Sequence, residues 1–189
     1  MKRPTKTIIA LISIPIFILL FFAPNIYGYF RFKSYCSSEG GLRVYEQLEK
    51  NVGWLAKDEY DARAVSQLKD IGFVRYIDKN DGNEYDLRYT GNNPQRDSSF
   101  EKKLADSSKS VEYIWNNIGD FLKDELRLKK SGYEILDIKD KRVLAGYYSF
   151  YYSKFDGDHV IFGETVWDNC RDTARMNDWI TQLNSTFKD

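Results

Sequence analysis

Histidine occurs once and cysteine twice in the 189 residues, with only four prolines and two methionines. One imidazole and two distant thiols fall short of the four ligands of a structural zinc site. They also leave His159 as the sole base for a Ser/His/Asp mechanism, and no Gly-x-Ser-x-Gly elbow accompanies it. Acidic and basic residues balance at 28 each, so no basic excess favours a nucleic-acid partner. The composition, 42% hydrophobic and 16% aromatic, excludes a disordered or collagen-like chain. The length suits one globular domain with a short extra element and excludes a multidomain enzyme.

The charges present are unevenly placed. Lys2, Arg3 and Lys6 precede an apolar run, and no acidic residue occurs before Glu39. Without those three, the rest holds 25 basic groups (28 less three) against 28 acidic, a net charge of −3. Thr7 to Ala23 reads TIIALISIPIFILLFFA and carries no charge. As a helix it spans about 25 Å, the short end for a membrane crossing. Ile26, Tyr27, Tyr29 and Phe30 extend it, the tyrosines suiting the interfacial belt.

A cleaved secretory signal has the same basic start and apolar middle. Small residues at the cleavage positions are poorly supplied: Phe21 and Ala23 precede Pro24, and Ile26 and Gly28 fit no better. An uncleaved anchor over residues 7–30 is the expectation, with the bilayer as a partner. The basic start places residues 1–6 in the cytoplasm and residues 34–189 in the periplasm, as in a single-pass inner-membrane protein. Cys36 and Cys170 form an even pair that such a compartment oxidises. For so long a loop the chain-entropy estimate is about 5 kcal/mol, and the alternative is two buried free thiols.

The remainder reads as alternating short elements. Asp58 to Ile71 predicts a helix, with Ala64, Val65, Leu68 and Ile71 on one face and Gly72 as a left-handed stop. Phe73 to Asp78 and Glu84 to Tyr89 read as strands around the Asp81-Gly82 turn. Tyr133 to Ile138 and Arg142 to Tyr152 form a second hairpin, and His159 to Trp167 continues the sheet. A last helix opens at Asp172 or Thr173, with Met176, Trp179, Ile180, Leu183 and Phe187 as its stripe. Ser107 to Leu128 is ambiguous. Val111, Ile114, Trp115, Ile118, Phe121 and Leu122 match a helix face, while Val111, Tyr113 and Trp115 also alternate. A helix to about Leu122 followed by a strand is the favoured reading.

Few residues suggest chemistry. Asp78 to Glu84 looks like a calcium loop, but Gly82 falls at position 5 and Tyr89 at position 12, so a polar turn fits better. Gly40-Gly41 lacks the spacing of a phosphate loop and suits a close backbone approach beside Cys36. Glu39, Glu46, Glu134 and Glu164 flank apolar strands and are the candidates for a paired-carboxylate hydrolase. On the aromatic strand, the face of Tyr147, Ser149 and Tyr151 is the more polar one and the candidate binding face. No catalytic residue, metal ligand or cofactor site is assigned.

Cys36-Ser-Ser-Glu39-Gly40-Gly41-Leu-Arg-Val44-Tyr45-Glu46 resembles the start of a family of small envelope proteins of Gram-negative bacteria. Gly72-Phe-Val-Arg-Tyr-Ile77, Glu134-Ile-Leu-Asp-Ile138, Arg142-Val-Leu-Ala145 and Asp168-Asn-Cys170 extend the likeness. Arg171 stands where the family usually has proline. The resemblance implies a paired-cysteine envelope domain and carries no catalytic residues.

The fold expected is α+β: an N-terminal transmembrane helix, then one domain with an antiparallel sheet and two to three helices. The function expected is a binding or accessory role toward an envelope protein partner, with a toxin-capping immunity protein as one version. The alternative is the periplasmic hydrolase.

Overall fold

Strand alternation governs most of the chain. The computed structural model describes residues 16, 17, 23, 26–91, 93–122, 127–153, 167–170 and 179–188. Residues 26–38 are helical (α1). There follow β1 (Gly41–Val44), β2 (Gly53–Leu55), α2 (Glu59–Val65), β3 (Phe73–Ile77), β4 (Glu84–Tyr89) and β5 (Phe100–Leu104). Then come β6 (Val111–Phe121), β7 (Leu128–Asp137), β8 (Val143–Ser153), β9 (Trp167–Asn169) and α3 (Trp179–Asn184). One nine-stranded sheet runs β1-β8-β7-β6-β2-β3-β4-β5, with β9 also pairing β8. Neighbours are antiparallel except at β2, which runs parallel to both β3 and β6.

Two expectations are corrected. The class is a mostly-sheet domain, not α+β with a transmembrane helix: among the described residues no helix is long and apolar enough to cross a membrane. Of segment 7–23, only residues 16, 17 and 23 are described. The helical stretch 26–38 contains Arg31, Lys33 and three serines, and it turns Phe32, fully buried, onto the sheet. The segment Ser107 to Leu122 is not a helix either. Val111–Phe121 forms β6, paired along nine residues of β7 and also with β2. Tyr113 and Trp115 are buried at a period of two. The apparent helical spacing arose because aliphatic residues occupy the opposite face of the same strand.

Both faces of the long strands are covered. On the front, Ala62 and Val65 of α2 and Leu183 of α3 pack with Trp54, Val74, Tyr113, Trp115 and Ile135. On the back, Phe32 meets Leu128, Tyr148, Phe150 and Tyr152, with Tyr35 and Cys36 against them. Burying a large apolar side chain in either cluster contributes roughly 1.5–3 kcal/mol. The back cluster draws no residue from β3, β4 or β5. On that half of the back face Ile77, Glu84, Arg88, Glu101 and Lys103 are exposed, while Phe73 and Asp86 are buried.

The Sγ atoms of Cys36 and Cys170 are 2.04 Å apart, and the two Cα atoms are 5.5 Å apart. The bond spans 134 positions and fixes the end of α1 beside β9. Gly40 makes the approach possible, since a Cβ there would stand 2.5 Å from the Cys36 carbonyl oxygen. The α2 helix stops earlier than its apolar spacing suggests. Asp58 caps it, accepting from the Asp61 N–H at 3.1 Å, while Ser66 Oγ and Gln67 Nε2 both donate to the Arg63 carbonyl near its end. Gly72 has a packing role: a Cβ would stand 2.6 Å from the Asn51 carbonyl oxygen.

Candidate functional site

The aromatic strand β8 places Tyr147, Ser149 and Tyr151 on one face, but two of the three are closed to solvent. Tyr147 stacks on Tyr133 at 5.8 Å, and Tyr133 stacks on Trp115 at 4.3 Å, forming an aromatic ladder inside the front core. Ser149 is 1% exposed, and its Oγ has no hydrogen-bond partner among the described residues. Tyr151 is half-buried, opposite Lys129 on one side and Asn169 on the other.

The described carboxylates considered for hydrolysis are not brought together. Glu39 is exposed past α1. Glu46 pairs with Arg142 at 3.1 Å. Glu134 accepts from Tyr148 Oη at 3.0 Å, under a ring that also carries Lys130 Nζ at 3.7 Å. Burial, and then that carboxylate, push the Tyr148 phenol above its ordinary pKa. Glu164 and His159 lie outside the described residues.

Sequence reading missed a denser polar cluster at the start of α2. Lys102 Nζ lies 2.6 Å from Asp78 Oδ2 and 3.6 Å from Glu59 Oε2, over the Tyr85 ring at 4.1 Å. The Asp78 carboxylate raises the lysine and is itself lowered by it. Glu59 is gripped by Arg63 at 2.6 Å, and Asp58 caps α2 and meets Lys79 at 3.3 Å. Asp61, 5% exposed, accepts from Asn117 Nδ2 at 2.6 Å. Burial and then the Asp58 charge raise its carboxyl above the usual range. Backbone N–H groups and lysines hold the Asp58 and Asp78 carboxyls below the usual carboxylate range. The cluster therefore clamps α2 to the β3–β4 hairpin. Among the described residues no group of His, Cys, Asp or Glu side chains is arranged to hold a metal ion.

The open back face offers the surface with free room. Beneath it lies Arg75, nearly closed to solvent. Its guanidinium forks onto Asp86 at 2.7 and 3.0 Å, donates to the Asp106 carbonyl at 2.7 Å and lies 5.2 Å from the Phe73 ring. Around it a groove of about 230 Å³ is lined by Phe73, Arg88, Glu101, Lys103 and Lys109, among others. A second groove, about 540 Å³, lies off this face, beside the chain that follows α2, past Ser66, Gln67, Lys69 and Tyr89. Both are bordered by Phe73, Leu87 and Arg88. Arg88 is held by an Nε–H donated to the Gly72 carbonyl at 2.6 Å. The alternation Glu84, Asp86, Arg88 was visible in the sequence, but only the pairing with β5 adds Glu101 and Lys103 to the same side.

No protein-family model matches this chain, and no curated protein or solved structure is similar to it.

Proposed function

We propose that the domain is an extracytoplasmic binding or accessory module of the bacterial envelope, acting on a folded protein partner through the open back face. The observation that carries this reading is the back-face groove lined by Phe73, Arg88, Glu101, Lys103 and Lys109. Exposed charges of both signs line it above the buried Phe73 ring, a pattern that matches a protein surface of complementary charge better than a small apolar ligand. The Cys36–Cys170 bond supports an oxidising compartment. The resemblance at Cys36 to Glu46 supports the envelope.

The test is affinity capture of the tagged full chain from extracted envelopes, followed by binding measurements with the recovered protein. Arg88→Glu and Lys109→Glu reverse two charges on the groove wall without entering the core. Each is expected to weaken binding tenfold or more while leaving the thermal midpoint within a few degrees. Capture of no stoichiometric envelope partner, or binding indifferent to both reversals, would overturn the proposal.

A further inference from the structure

The sheet ends at β5, and the outer side of this strand is unpaired among the described residues. Two backbone bonds fix which groups face outward. The Ala105 N–H donates to the Glu84 carbonyl, and the Thr90 N–H to the Ser99 carbonyl. In the β4–β5 register, residues 99, 101, 103 and 105 therefore bond inward, and Phe100, Lys102 and Leu104 present their N–H and C=O groups outward. An exposed edge of this kind is a template for another strand.

We propose that β5 pairs with β5 of a second copy, antiparallel about a two-fold axis through Lys102. Phe100-Glu101-Lys102-Lys103-Leu104 is self-complementary in that register. Glu101 falls opposite the second copy's Lys103, and Lys103 opposite its Glu101, both on the back face. Phe100 falls opposite Leu104 on the front face. Leu104 is 67% exposed in the single chain and gains an apolar neighbour there. The outward backbone groups become the hydrogen-bonded pairs of the new ladder, which is the geometry an antiparallel pair requires.

Edge lysines commonly oppose such pairing, and the central contact brings Lys102 against Lys102. Here each Lys102 ammonium is drawn onto its own chain by Asp78 at 2.6 Å and Glu59 at 3.6 Å, which neutralises it. Lys103 has Glu101 at 2.6 Å within its own chain and finds a second one across the axis. The interface is isologous and closes after two copies. It also sets the two back-face grooves side by side.

The experiment is light scattering on the full chain in mild detergent, corrected for bound detergent, over a concentration series. The expected protein mass is twice 22.2 kDa at high concentration. Lys103→Glu and Glu101→Lys should each raise the dissociation constant tenfold or more, and the double swap should restore it. Leu104→Pro deletes an outward N–H and leaves the β4 ladder and the charge pair intact, so it should give a folded monomer. A parent chain that stays monomeric throughout the series sinks the proposal. So does a dimer that Leu104→Pro and both charge reversals leave unchanged. Loss of the dimer with retained partner binding would leave the groove reading standing, so the two can fail separately.

Discussion

Asp61 shows how one side chain sets a pH response. Its folded-state carboxyl is raised by burial and by the nearby Asp58 charge, so ionisation is penalised in the native state. Stability from the neutral form is full below the ordinary carboxylate range and is lost as pH rises through the raised value. Asp61→Asn keeps an acceptor for Asn117 and removes the charge. A higher thermal midpoint is expected at pH 7, with the gain shrinking below about pH 4. Asp58, Asp78, Asp81, Asp106 and Glu101 act the other way. Hydrogen bonds and cations lower them, so their contribution is present above the ordinary carboxylate range and is lost as pH falls through the lowered values. Thermal melts of the parent chain should be flat from pH 7 to about 5 and fall below about 4. Asp86 is different in kind: its partner Arg75 is nearly closed to solvent, so Asp86→Ala strands a cation. A loss of about 3 kcal/mol is expected in urea denaturation.

At the level of elements, strand pairing depends on glycines and on local shifts of register. Gly132 of β7 has φ 147°, and a Cβ there would stand 1.9 Å from the Tyr147 carbonyl oxygen. Gly132→Ala should therefore disrupt the β7–β8 ladder, at a cost of about 3 kcal/mol in denaturant unfolding. Gly132 carried no signal of its own in the sequence, where it stands between Ser131 and Tyr133 without turn chemistry. The register shift between Ile135 and Leu136 has a visible consequence in β8. Strict alternation puts Leu144 on the side of Tyr148, Phe150 and Tyr152, yet it joins the front cluster while those three join the back one. An irregularity in pairing moves a residue across the sheet, and no periodicity reports it. Ser149 belongs to the same strand. Because its hydroxyl is buried without a described partner, Ser149→Ala should hold or raise the thermal midpoint.

For the whole molecule, the disulfide is the long-range constraint. It joins α1, which covers the back of β7 and β8, to the chain beside β9. Replacing both cysteines by alanine should cost about 2–5 kcal/mol. The lowered midpoint should match that of the reduced parent chain in the same buffer. Limited proteolysis should then cut near residues 39–41, where Glu39-Gly40-Gly41 follows the helix. The open back face of β3–β5 should be untouched by this change, since no residue of those strands enters the cluster under α1.

Local chemistry determined much of this from sequence alone. Alternation marked β3, β4 and most of β8, Asp81-Gly82 and Lys139-Asp140-Lys141 marked two turns, and the even cysteine count marked the pair now seen at bonding distance. These signals are local because alternation, turn dihedrals and thiol number are written within a few residues. Tertiary structure decided the rest. It made Val111–Phe121 a strand by giving it two neighbours, and it turned Phe32 onto the sheet. It took Tyr147 and Ser149 into the interior, and it gathered the exposed Arg88, Glu101 and Lys103 around the buried Arg75–Asp86 pair. Such outcomes depend on which strands pair and in what register, a free-energy choice among distant segments that no short window of sequence contains.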